Sequence, residues 1–152
     1  EVLSPKAEQL DLAKFNKNKN SCVLYIQVLN AKKYQNYLLM GDAGWETEYA
    51  ILQAYPQLKV DVLVLGHHGS QHSSSYAFLE KLQPKVTIVS AGFNNRYGHP
   101  SEIVQVRLKE LNIPVLSTIN DGTIQFSQHR NNDVEINKQR DTRLWLKRDF
   151  SD

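Results

Sequence analysis

Two short, β-branched and mostly apolar runs, at residues 60–65 and 86–91, limit what this chain can fold into more than any other feature. Each is too short for a stable helix. Apart from Asp61, the first has none of the polar alternation of a strand with one wet face. Such runs predict strands covered on both sides, as in parallel sheets. Between them, residues 76–82 read as a short helix ended by Pro84. A strand, a helix and a second buried strand predict a layered α/β domain.

The rest of the chain fits that frame. Residues 21–29 and 34–40 read as strands joined by a short connection, and hence as a hairpin. A helix is predicted over 45–55, with Trp45, Tyr49, Ile51, Leu52 and Tyr55 at roughly helical spacing. Another starts after Ser101, a good N-cap, with Ile103, Val104, Leu108 and Leu111 as its inner stripe. Residues 113–118 and 123–127 read as strands turned back on each other by Asn120-Asp121-Gly122. The expected division is a polar leader over 1–20, a folded unit over 21–128 and a polar, basic tail over 129–152. Within the tail, 143–150 reads as a docking helix or a frayed end.

The 152 residues suit one domain with a real core, and a net charge of +2 permits a polyanionic partner without arguing for one. Cys22 is the sole cysteine, so no internal disulfide forms; in its apolar run it reads as a small buried hydrophobe. No stretch approaches the roughly 20 apolar residues that cross a bilayer. The opening Glu1-Val2-Leu3 has no initiator Met and no secretory pattern, which reads as a piece of something larger or a processed product.

Three loops that follow strands carry the chemistry-bearing residues. One holds Asp42, one holds His67 and His68 in Gly66-His67-His68-Gly69-Ser70, and one holds His99. Loops at the carboxyl ends of neighbouring strands converge on one crevice. A carboxylate with imidazoles there is a plausible divalent-metal set. Simpler roles stay open: Asp42 as a helix cap, His99 as a turn residue, and Ser70 and Ser73 to Ser75 as caps of the next helix or as phosphate ligands. Ser70 lacks the strained elbow of a hydrolase nucleophile. His72 reads as solvent-exposed, and His129 is given no role.

The ordered set is more specific than its members. Leu38-Leu39-Met40-Gly41-Asp42-Ala43, then Val62-Leu63-Val64-Leu65-Gly66-His67-His68-Gly69-Ser70, then Asn94-Asn95-Arg96-Tyr97-Gly98-His99-Pro100-Ser101, then Asn120-Asp121-Gly122 closely resemble the carboxy-terminal metallo-β-lactamase-like domain of the ComEC family of competence proteins. The resemblance covers about residues 21–127. It implies the carboxy-terminal half of an αββα sandwich, belonging to a DNA-uptake protein of the bacterial inner membrane and facing outward. It implies metal-dependent phosphodiester hydrolysis of the DNA strand that is not imported, with manganese or zinc as cofactor. In that scheme Asp42 and His67 are metal ligands, and His68 and His99 are catalytic. Ser70, Asn95, Arg96 and Tyr97 bind substrate phosphate or stack on a base.

The five histidines include no HxHxDH motif, which in metal-binding relatives supplies most ligands. The expectation is therefore that this chain alone binds no metal tightly and is inactive, its partners being single-stranded DNA and the rest of a ComEC-like protein in the intact molecule. Apolar surface left open by a missing half predicts self-association. Two rival readings remain: a non-catalytic DNA-binding or structural module, and a superfamily hydrolase of small phosphate esters or lactones.

Overall fold

The computed structural model describes residues 1–6 and 17–140; the reading of 143–150 as a docking helix or frayed end falls outside them. A six-stranded mixed sheet forms the centre, with β1 (Val2–Ser4), β2 (Val23–Gln27), β3 (Asn36–Leu39), β4 (Val62–Val64), β5 (Val86–Val89) and β6 (Val115–Ser117) side by side in chain order. β1–β2 and β2–β3 are antiparallel, while β3 through β6 are parallel. The expected hairpin is the β2–β3 pair. The two runs that most constrain the chain are the adjacent parallel strands β4 and β5, and Leu63 and Thr87 are fully buried at their centres.

Each parallel step is bridged by a helix: α1 (Trp45–Ala54), α2 (Tyr76–Leu82) and α3 (Glu102–Glu110). Crossovers between parallel strands are right-handed, so strands added in one direction put all three helices on the same face. The main core lies there, with Ile51, Phe78, Leu79, Val104 and Leu108 packed on Leu38, Leu63 and Val89. The opposite face receives β7 (Ile124–Gln128) and β8 (Val134–Lys138), an antiparallel pair whose Phe126, Val134 and Ile136 pack against Val62 and Val86. No helix among the described residues is long and apolar enough to cross a membrane.

Several expectations are corrected. Asn120-Asp121-Gly122 does not turn one strand back on its neighbour. The segment instead forms a single helical turn, α4 (Thr118–Asp121), because Asp121 Oδ2 accepts the Ser117 amide at 2.8 Å and Ser117 Oγ accepts the Ile119 amide at 3.2 Å. β7 then pairs with β8, a strand hidden in sequence by its polar residues. The leader contributes β1. The buried face of α1 is Thr47, Glu48 and Ile51, with Trp45 and Tyr49 exposed, and Ile103 faces outward from α3. Cys22 is exposed, on the stretch entering β2.

Candidate functional site

The carboxyl ends of β3, β4 and β5 run into loops that interlock through two glycines. A Cβ on Gly66 would lie 2.3 Å from the Ala43 carbonyl oxygen, and one on Gly69 would lie 2.8 Å from Pro100 Cβ. The His67 amide donates to the Gly41 carbonyl at 2.8 Å, and the Ser101 amide to the Gly69 carbonyl at 2.9 Å. His67 and His68 both take left-handed backbone angles, φ 47° and 57°. Consecutive left-handed residues are unfavourable for side chains with a Cβ, so this tertiary lacing holds them there.

The result brings Asp42, His67, His68 and His99 together. His68 Nδ1 lies 2.6 Å from the Ser90 carbonyl. A carbonyl only accepts, so Nδ1 carries the proton and Nε2 is left facing outward. That Nε2 is 3.7 Å from Asp42 Oδ1. The geometry thus pairs Asp42 with His68, whereas His67 shares with Asp42 a cleft that also includes Trp45 and His72. The His67 and His99 rings are 5.8 Å apart, and those of His68 and His99 are 6.5 Å apart and nearly parallel, at 24°. Burial first, and then His67 and His68, hold His99 below the ordinary imidazole pKa, which favours its neutral form. Its Nδ1 is buried without a hydrogen-bond partner.

Two of the expected phosphate contacts do other work. Asn95 takes the His99 amide on Oδ1 at 2.8 Å and gives Nδ2 to the His99 carbonyl at 2.8 Å. It therefore positions His99. Ser70 is only 4% exposed and its Oγ accepts the His72 amide at 3.4 Å, so this hydroxyl is closed inside its loop. Arg96 and Tyr97 do stand at the surface, with the guanidinium 4.7 Å above the Tyr97 ring. His72 is exposed and set edge-on to Trp45. His129 lies 3.1 Å from Glu135, away from these loops.

Simpler roles are also decided here. The N-cap of α1 is Gly44, not Asp42, and Ser75 Oγ caps α2 by accepting the Phe78 amide. Ser101 sits at the N-cap of α3, but its hydroxyl is buried and makes no cap bond.

The chain is 42% identical over 125 residues to ComE operon protein 3 of Bacillus subtilis, a match covering 82% of this chain. It is 39% identical over 114 residues, 74% of its length, to competence protein ComA of Neisseria gonorrhoeae. It is 34% identical over 125 residues, 81% of its length, to recombination protein 2 of Haemophilus influenzae. This chain belongs to the ComEC family of competence proteins. The ComEC-family chain spans only 15–16% of the length of these three relatives. No family model matches it.

Does this ComEC-family chain hold a metal by itself? In the neutral tautomer with its proton on Nδ1, His68 turns the Nε2 lone pair toward the Asp42 carboxylate, an arrangement suited to a shared cation. Catalytic metal sites, however, take about three protein ligands. Among the described residues no three His, Cys, Asp or Glu side chains stand together as a metal site. The two donors described here are fewer than such a site takes.

Sequence reading missed the support beneath the histidine turn. Glu48 of α1 is 1% exposed, and its carboxylate accepts the amides of Ser74 and Ser75, the latter at 2.9 Å. Desolvation raises its pKa, while those amides and Arg107 pull it back. Arg107 of α3 donates to the Ser73 and Ser74 carbonyls at 3.3 and 3.1 Å. Ser73 Oγ bonds the Gly66 carbonyl at 2.6 Å. Two helices thereby grip the serine run and, through it, the histidine turn.

Proposed function

We infer that this chain is part of a metal-dependent phosphodiesterase domain of a DNA-uptake protein, acting in natural competence on the DNA strand that is not imported. The observation that carries the reading is the cluster of Asp42, His67, His68 and His99 at the carboxyl ends of three adjacent strands, in a chain whose relatives bear competence names. The layering supports the finer fold assignment. Helices cover one face of the sheet and a β-hairpin begins to cover the other, which is the order of an αββα sandwich seen from one half. The domain is proposed to lie outside the inner membrane.

In this reading the chain supplies one wall of the site. His68, with its Nδ1 fixed on Ser90, holds Nε2 toward Asp42. His99, favoured in its neutral form, is suited to accept a proton from an attacking water, and Arg96 offers charge to a phosphate. His67 stays beside Asp42 as a candidate ligand. Further ligands for manganese or zinc would come from the remainder of the protein, and this chain alone would be inactive.

The test is cleavage of single-stranded DNA by the full-length protein with added manganese or zinc. Asp42→Ala and His99→Ala are each expected to lower the rate by about 10²-fold or more. Full activity in both variants would remove this site from the reaction. The incomplete donor set also favours a second reading, a DNA-binding module without chemistry. Strand binding with no cleavage by the full-length protein would select it.

A further inference from the structure

We propose that Glu48 is a positioning residue that sets the spacing between Asp42 and His68. That this spacing serves a reaction rests on the hydrolase reading, although the placement itself does not. The two side chains belong to different loops, and Asp42 Oδ1 lies 3.7 Å from His68 Nε2. Something has to fix one loop against the other, and α1 is built onto both.

Only Ala43 and Gly44 separate Asp42 from the start of α1. The Trp45 amide donates to the His72 carbonyl at 3.1 Å, and a Cβ on Gly44 would lie 2.9 Å from that same oxygen. One turn further on, the Glu48 carboxylate spans the Ser74 and Ser75 amides. From there the path to the imidazoles is short. Ser73 Oγ bonds the Gly66 carbonyl at 2.6 Å, the Ser73 amide donates to the Ser70 carbonyl at 3.0 Å, and the Ser70 amide donates to the His67 carbonyl at 2.9 Å. Glu48 thus clasps the loop of one donor to the loop of the other.

Glu48 is 1% exposed, and a buried charge costs stability unless it is hydrogen-bonded. A carboxylate offers two acceptor oxygens and no donor, and two amides face it here. A Gln would turn its NH2 group on one of them. The loop needs the hold because it is strained: besides His67 and His68, Ser74 is left-handed, with φ 53°. Non-glycine residues keep such angles only where their surroundings over-determine them. The Gly41 carbonyl holds the front of the loop through the His67 amide, and Glu48 holds the back.

The experiment is amide hydrogen exchange on the 152-residue chain. The His67 and Ser70 amides report on the loop, and the Leu65 amide, bonded to the Ile88 carbonyl, reports on the sheet. Glu48→Gln is expected to lower protection of the loop relative to the sheet by about 10- to 150-fold, the ratio for one hydrogen bond to a charged group. Asp61→Asn removes another bonded carboxylate, at the amino ends of β3 and β4, and is expected to leave that ratio unchanged. Loop and sheet losing protection together in Glu48→Gln would make Glu48 a general stabiliser and overturn the proposal, as would no loss at all. If Glu48→Gln does not fold, Ser73→Ala cuts the same path at the Gly66 carbonyl, and absence of a selective loss there overturns the proposal equally. In the full-length protein with manganese, Glu48→Gln is expected to lower kcat by about 10²-fold, the cost of a 1 Å misplacement, with KM for the strand unchanged. Selective loss of loop protection with a full-length protein that never cleaves would sink the hydrolase reading alone. Cleavage at the parental kcat by Glu48→Gln would sink this proposal alone.

Discussion

Gly66 and Gly92 are the same residue type in opposite circumstances. The first is pressed against the Ala43 carbonyl, and the second faces open space. Gly66→Ala is expected to cost about 3 kcal/mol, at the upper end for overpacking, because the obstacle is backbone. Gly92→Ala should stay within about 0.5 kcal/mol. Urea midpoints of the two variants decide it, and equal midpoints would mean that the loops are not laced through Gly66. This contrast is invisible in sequence, where both look like turn glycines. Glu48 is hidden for a related reason. A glutamate in a first helical turn reads as solvated, since such residues are rarely buried unless paired. Its partners here are the Ser74 and Ser75 amides, supplied by a loop some 26 residues away. The histidines, by contrast, could be read directly, since a strand ending in a glycine turn announces where their side chains emerge.

At the scale of elements, Asp61 registers three strands at once. Its carboxylate takes the amides of Gln35 and Asn36 at 2.9 Å each, just where β3 begins, and meets Lys85 at 2.7 Å, ahead of β5. Burial works against its charge, yet Lys85 and the Asn36 and Gln35 amides more than offset it, leaving the pKa lowered. A carboxyl held lower in the folded state adds stability above its unfolded pKa of about 3.9, and that stability is lost as pH falls through the folded value. Asp61→Asn should therefore be less stable than the parent at pH 7, with the gap narrowing below about pH 4. A gap in thermal midpoint that stays constant down to pH 2 would contradict this. Helices and parallel strands were readable because hydrophobic runs and Pro stops are local signals. The hairpin expected at Asn120-Asp121-Gly122 does not form because Asp121 accepts the Ser117 amide, which winds the segment into a helical turn. β8 was missed because Val134 and Ile136 alternate with charged and amide side chains, and their burial depends on a sheet face that only tertiary structure supplies.

For the molecule as a whole, the sheet face under the β7–β8 pair is covered unevenly. Val62 and Val86 are buried there, whereas Leu24, Leu39 and Val64, joined by strand register, are only partly covered. Next to them Val2 is 51% and Ile26 45% exposed. A continuous apolar strip of this kind favours association. Sedimentation equilibrium of this chain is expected to show concentration-dependent dimers that Ile26→Lys weakens. A strict monomer at every concentration would show that the strip is inert. The relation to the family was legible because its motifs sit in contiguous loops. How those loops lock was not, because each contact joins segments far apart in sequence.

The left-handed pair at His67 and His68 makes this motif non-portable. A synthetic peptide spanning Gly66 to Ser75 carries both rings but none of the anchors at Gly41, Ser90 and Pro100 that fix them. Grafted onto another scaffold, the same ten letters would relax to ordinary backbone angles and scatter the imidazoles. An engineer wishing to move this corner must move three loops together, along with the strands that aim them.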